Sequence, residues 1–222
     1  MSDIPIPELR AIYKSARKYS RRCTLEIGAN NGSDTKLLMT MDRGPHVHCF
    51  EPDPRAIARW RTSVKATERA TLYEVALSNE IGTSTFHPSG GNPGGRWTNY
   101  GQWDLSGSLL PFDRHCDNAP WMEFPESFTV KTTTLDAWAE EHLDPKMIVS
   151  LAWVDVQGAE AMVIEGATET LKRIRYWFCE CDPRPNYKGQ ASKDQLIELL
   201  DGFTLEKEYP GFNFMFKNNS ID

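Results

Sequence analysis

The 222-residue sequence has no apolar run approaching the roughly 18–20 residues that a membrane-spanning helix needs. It also lacks an excess of positive charge. Its 25 Lys and Arg stand against 31 Asp and Glu, a net charge of −6, which argues against a nucleic-acid partner, whose binding rests on clustered cations. Cysteine is scarce and odd in number: Cys23, Cys49, Cys116, Cys179 and Cys181, with no CxxC pair. That disfavours a disulfide framework and a Cys-rich zinc site, and it predicts a reduced, cytoplasmic protein. Met1 to Glu8 lacks the apolar core of a secretory signal. Neither an internal repeat nor a linker divides the chain, so one domain over residues 1–222 is expected.

What is present is unevenly placed. Eleven of the 39 residues from Pro88 to Glu126 are Gly or Pro, and three of the seven Trp fall there. An irregular segment of that length inside a domain is expected to be a lid or binding element. Its Trp97, Tyr100, Trp103, Trp121 and Phe124 can stack on a sugar ring, or they can pack under the loop as a satellite core.

The rest alternates regularly. Residues 1–22 carry a helix with Leu9, Ile12, Tyr13, Ala16 and Tyr19 at helical spacing, read as a packing helix with a basic solvated face. A strand from Cys23 stops at Gly28, and Ser33 is placed to cap a helix through Met41. A second strand, His46 to Phe50, leads through Pro52 and Pro54 into a helix to about Lys65. A third strand spans Thr71 to Leu77, and Thr83 to Phe86 returns. Beyond the Gly/Pro/Trp segment come a strand from Phe128, a helix from Leu135 to His142, and a buried strand from Met147 to Val154. A helix to about Lys172, a strand from Arg175 to Cys181 and a capped helix from Ser192 to Leu200 follow. The chain closes on an antiparallel pair around Pro210-Gly211. This alternation predicts an α/β fold, a Rossmann-like seven-stranded mostly parallel sheet with an antiparallel C-terminal hairpin.

In such sheets ligands bind beyond the carboxyl ends of the strands. Acids stand there: Glu26, Glu51, Glu74, Asp155, and Glu180 with Asp182. The turn Glu26-x-Gly28-x-Asn30-x-Gly32 lets backbone approach a ligand closely, and Glu51 at the end of the second strand is placed to accept from two ribose hydroxyls. The turn lacks the GxGxxG spacing that cradles a pyrophosphate. A phosphate-free, cationic nucleoside suits an acidic surround better, and S-adenosyl-L-methionine is such a ligand.

Leu25-Glu-Ile-Gly-Ala-Asn-Asn-Gly32, Phe50-Glu-Pro-Asp-Pro54, Val75-Ala-Leu-Ser-Asn79, Thr132-Thr-Thr-Leu-Asp136, Val154-Asp-Val-Gln-Gly-Ala-Glu160 and Phe178-Cys-Glu180 stand in that order. Together, over Thr24 to Cys181, they resemble the FkbM-type family of class I methyltransferases that use S-adenosyl-L-methionine. The resemblance implies O-methyl transfer to a hydroxyl of a sugar, glycan or other natural product. It implies that Gly28, Ala29, Asn30 and Gly32 line the methionine moiety, Glu51 the ribose, and Ala76 to Ser78 the adenine, with Glu26, Pro52 and Asp155 in the same pocket. Two residues depart from the family pattern: Trp153 where lysine is usual and Gln157 where glutamate is usual.

A hydroxyl nucleophile gains from a general base or a metal. Asp155 is the first candidate base and Glu180 the second. Asp155, Glu180 and Asp182 have the oxygen donors that Mg²⁺ takes, though a metal is not the favoured reading. His87, Trp97, Trp103, Gln157 and Glu160 are the candidate acceptor contacts, with His115 a further histidine in the long segment. Two other classes stand beside the enzyme: a non-catalytic protein that keeps the cofactor site, and a nicotinamide-dependent oxidoreductase, which the missing GxGxxG disfavours.

Overall fold

Alternating apolar runs set the frame. In the computed structural model, which describes residues 4–41, 45–64, 69–94, 103–113, 119–184 and 186–221, they build a seven-stranded sheet. Helix α1 (Ile6–Ser15) precedes β1 (Arg22–Ile27), α2 (Ser33–Thr40), β2 (His46–Phe50), α3 (Pro54–Ser63) and β3 (Ala70–Tyr73). Two short strands, β4 (Ala76–Leu77) and β5 (Gly82–Phe86), leave the main sheet. Next come the two-residue strands β6 (Gly90–Gly91) and β7 (Met122–Glu123), then β8 (Phe128–Thr133) and α4 (Leu135–His142). Strand β9 (Ile148–Val154), α5 (Glu160–Glu165), β10 (Tyr176–Glu180), α6 (Lys193–Leu199), β11 (Phe203–Tyr209) and β12 (Asn213–Asn218) complete the order.

The main sheet runs β11-β12-β10-β9-β1-β2-β3. Its five strands from β10 to β3 are parallel, and β12 and β11 return antiparallel to them. The sequence expectation of a mostly parallel sheet closed by an antiparallel hairpin holds in this topology. β9 and β1 are buried almost end to end, as strands covered on both faces must be. One core holds Trp138, Val163, Trp177 and Phe216; the other lies under α1 and holds Leu9, Tyr13, Leu151 and Phe178. The Tyr13 hydroxyl and Thr24 Oγ1, 2.9 Å apart, satisfy each other inside that second core. The N-terminal helix is thus a packing helix, as its spacing suggested. Among the described residues no helix is long and apolar enough to cross a membrane.

Several boundaries differ from expectation for identifiable reasons. The third strand breaks at Glu74-Val75, and Ala76–Leu77 pairs instead with Thr132–Thr133 in a second sheet of order β4-β8-β5. The helix after β9 ends at Glu165 rather than near Lys172. Gly166 there lies against Ser78, whose carbonyl oxygen a Cβ would meet at 2.1 Å, and a separate 3₁₀ turn (Thr170–Arg173) follows. Ser33 opens α2 as its first helical residue and does not cap it, because Gly32 in the left-handed region takes the cap position. Thr134 caps α4 by accepting from the Ala137 N–H, while Asp136 accepts from Thr168, Glu169 and Thr170. The Ser192 cap of α6 is a reciprocal capping box with Gln195.

Within the long segment, β6 pairs with β7, and the Trp103 N–H donates to the Gly91 carbonyl. Trp103 meets Trp121 edge-on at 5.2 Å, and Phe112 packs on Phe124 and Tyr187.

Candidate functional site

The parallel order reverses beside β1, with β2 on one side and β9 on the other. There the carboxyl ends of β1, β2 and β9 open into a cavity of about 250 Å³. The glycines of the β1 turn shape it indirectly. Gly28 sits at φ +89°, and a Cβ there would meet the Asp155 carbonyl oxygen at 1.8 Å. Gly32 is likewise hemmed in by Trp60 and Val64. Both make room for protein: Gly28 also lines the cavity, whereas Gly32, expected from the resemblance to line the methionine moiety, is not among its lining residues.

Glu51 is a buried, doubly held acid on the wall. It is 5% exposed, and its Oε2 and Oε1 accept from the Asn30 and Asp53 N–H groups, each at 2.8 Å. Burial pushes its carboxyl up to about 7, against the pull of those two N–H groups. Asp53 caps α3 through the Arg55 N–H and pairs with the Arg55 guanidinium at 2.6 Å. Asp104, from the inserted segment, pairs with Arg59 of α3, and its carbonyl accepts from Asn30 Nδ2 at 3.1 Å. Residues 103–108 are therefore pinned to the β1 turn and to α3. The acidity read at the strand ends is real, but Arg55 and Arg59 and the raised Glu51 offset part of it.

The wall beyond Glu51 is apolar, lined by Phe50, Val75, Ala76, Leu77, Phe86 and Leu109. At the opposite side stand Asp155, which is exposed, and Gln157, whose Nε2 donates to Asp155 Oδ1 at 2.6 Å. The chain thus brings Gly28, Asn30, Glu51, Pro52, Ala76, Asp155 and Gln157 together, seven of the residues singled out from sequence.

The others lie elsewhere. Glu26 is buried behind the turn, where Oε2 accepts from the Thr35 hydroxyl and from Cys49 Sγ, so it is a core acid rather than a cavity contact. Burial lifts its carboxyl to about 8. Ala29 packs in the core beneath α1, and Ser78 bonds through its N–H to the Thr133 carbonyl. Glu160 is buried, accepting at Oε1 from the Val156 and Gly158 N–H groups, so it orders the loop after β9; it does not line the main cavity. Glu180 opens on a separate recess of about 30 Å³, room for a water and little more, and not on the main cavity. His87 bonds Ser127 Oγ at 2.9 Å, and Trp103 donates to Ser106 Oγ while packing on Trp121. Neither lines the cavity. Trp97, Tyr100 and His115 lie outside the described residues. Trp153, the first departure from the family pattern, is buried against Phe178 on the α1 side of the sheet, away from the cavity. Only Gln157, the second, reaches the site. Asp182 is taken up by Arg184 and Asn186, and among the described residues no cluster of three His, Cys, Asp or Glu is placed to hold a metal.

Sequence reasoning missed Asp34, Asp104 and the run Leu105 to Leu109 on the wall, and Tyr187 behind it. Asp104 had a signal: it is the one charged residue between Arg96 and Asp113. Tyr187 had none.

A family model described as the methyltransferase FkbM domain matches residues 26–211. The chain is 37% identical over 187 residues to the 2-O-methyltransferase NoeI of Sinorhizobium fredii (strain NBRC 101917 / NGR234), covering 84% of this chain and 74% of that protein. Among solved structures, an rRNA methylase from Streptococcus thermophilus is similar at 13% identity and a TM-score of 0.49, over 98% of each chain.

Proposed function

Because the chain belongs to the FkbM methyltransferase family, we propose that it moves a methyl group from S-adenosyl-L-methionine to a hydroxyl oxygen of a carbohydrate-bearing acceptor. The observation that carries the cofactor reading is Glu51. Two backbone N–H groups hold its carboxylate on the cavity wall, and its remaining lone pairs suit a vicinal diol. The residues present fit that cofactor by chemistry: an acceptor for ribose hydroxyls, an apolar slot for a flat base, and acids that favour a cation. When bound, S-adenosyl-L-methionine supplies an electrophilic methyl group on a sulfonium.

The protein's own work is to position and to hold a proton. Asp155 at the end of β9 receives the proton that the acceptor hydroxyl gives up, and Gln157 steadies that carboxylate. Asp104 to Leu109, pinned through Arg59 and Asn30, wall off the cavity on the inserted side. The segment 88–126 acts as the acceptor-side cover of one methyltransferase domain. The choice of a hydroxyl acceptor rests on the family and on the name of the NoeI relative.

The test is twofold. Calorimetry with S-adenosylhomocysteine on wild type and Glu51→Ala reads the cofactor site: affinity falls more than tenfold if Glu51 holds the ribose. Turnover over a panel of mono- and oligosaccharides, with the product's methylated oxygen located by NMR, reads the acceptor. Transfer to nitrogen or carbon alone would refute the hydroxyl reading.

A further inference from the structure

The Tyr187 hydroxyl is 2.9 Å from Gln157 Oε1, and Gln157 Nε2 is 2.6 Å from Asp155 Oδ1. The directions of both bonds follow from chemistry. An ionised carboxylate only accepts, so the Gln157 amide turns its N–H to Asp155 and its carbonyl oxygen to Tyr187, and the phenol is the donor. Tyr187 itself is 4% exposed and held on every side. Its ring packs on the Gln157-Gly158 turn, whose backbone lies in the left-handed region at φ +54° and +92°; a Cβ on Gly158 would come within 2.8 Å of the ring. Its one hydroxyl proton is shared between Gln157 Oε1 and the Ser106 carbonyl, the latter at 3.0 Å; its backbone bridges to Phe112, and the Asp113 and Lys188 N–H groups lace the two loops together through Asn186 and Pro111. The inserted segment and the loop after β10 thus meet along residues 111–113 and 186–188, and the phenol carries that contact on to Gln157.

We propose that Tyr187 is a positioning residue for Asp155. Through the Gln157 amide it fixes the carboxylate at the cavity, and the docking of residues 106–113 fixes Tyr187 in turn. No bond changes along this chain; it sets orientation. The inference rests on the reading of Asp155 as the base. It also gives the glutamine at 157 a reason. A glutamate there would set two carboxylates side by side and offer no donor, whereas the amide donates to one neighbour and accepts from the other.

The test uses Tyr187→Phe, which keeps the ring against Gly158 and loses the hydroxyl. Gln157→Asn is its companion; it keeps an amide that suits left-handed backbone but withdraws it by one methylene. On the best acceptor from the saccharide panel, each variant lowers kcat about tenfold, as the loss of one hydrogen bond to a charged system does. S-adenosylhomocysteine affinity and acceptor KM stay within about twofold. The double variant is no worse than the worse single one, because both break the same chain. On ligand-free protein, Tyr187→Phe and Asp155→Asn each move the Gln157 side-chain amide resonances in a ¹⁵N correlation spectrum. Wild-type kcat in Tyr187→Phe, unmoved Gln157 resonances, or losses that multiply in the double variant would each overturn the proposal. Full turnover by Asp155→Asn would instead overturn the base assignment, while the amide resonances still decide the link from Tyr187 to Gln157.

Discussion

Glu26→Gln tests the burial argument most directly. Glu26 is 1% exposed at the end of β1, and its Oε1 has no hydrogen-bond partner among the described residues. Burial lifts its carboxyl from the ordinary 4.5 to about 8. Between those values the folded chain keeps a proton that the unfolded chain has released. Folded stability is therefore greatest at the acid end of the window and is lost as pH rises from about 4.5 toward 8. The amide that replaces this carboxyl cannot titrate, so the variant escapes the loss. Glu51 and Glu160, both raised to about 7, are common to the two proteins and cancel in the comparison. The stability of Glu26→Gln relative to wild type thus grows by about 1.4 kcal/mol per pH unit, or about 3 kcal/mol from pH 5.5 to 7.5. Urea unfolding at pH 5.5, 6.5 and 7.5 measures it, and thermal melts should diverge by roughly 6–12 °C over the same span. A difference that stays flat across that range refutes the reasoning, since it means that Glu26 is ionised or hydrated in the fold. S-adenosylhomocysteine affinity at pH 7 should change by less than about threefold. A larger loss would return Glu26 to the cofactor site.

Wild-type affinity for S-adenosylhomocysteine should fall as pH drops through about 7, because Glu51 then gains a proton and loses its strength as an acceptor; the pH dependence should vanish in Glu51→Gln, read by calorimetry. Asp155→Asn should lower kcat about 100-fold or more with cofactor affinity little changed, the cost of removing a general base. Gly28→Ala should destabilise the fold by several kcal/mol in denaturant titrations, since its Cβ meets the Asp155 carbonyl at 1.8 Å and its φ of +89° is strained for any side chain. Arg59→Ala should raise KM for cofactor or acceptor several-fold by leaving buried Asp104 without its counter-charge and releasing the wall it carries, measured by steady-state kinetics.

The sheet was legible because its signals are local. β1, β2, β9 and β10 are apolar runs ended by Gly or an acid, and Pro210-Gly211 marks the returning hairpin. Glu51 and Asp155 were legible for the same reason: strand ends point at the site whatever the side chains around them do. What escaped were matters of direction. Side chains alternate along a strand, so Glu26 and Trp153, each close in sequence to a ligand-facing position, turn into the core beneath the sheet. The Gly/Pro/Trp segment was legible as an insertion but not in its directions. Of the aromatics that drew the substrate reading, Trp97 and Tyr100 lie outside the described residues, and half-buried Trp103 and Trp121 pack edge-on against each other. The less conspicuous run Asp104 to Leu109 forms the wall.

The inserted segment also reaches the chemistry from two ends. Asp104 ties it to Arg59 and to the Asn30 side chain beside Glu51, and Ser106 and Phe112 tie it to Tyr187 and so to Asp155. The Asn30 and Tyr187 contacts in these ties join residues 74 and 81 positions apart, which no local pattern encodes. On the proposed reading of Asp155 as the base, the described parts of the segment brace both sides of the cavity: Asp104 the Asn30–Glu51 side, and Ser106, through Tyr187 and Gln157, the carboxylate. Loosening either anchor should then lower kcat even where affinity survives, and that shared effect separates a cover that completes the site from one that merely excludes water.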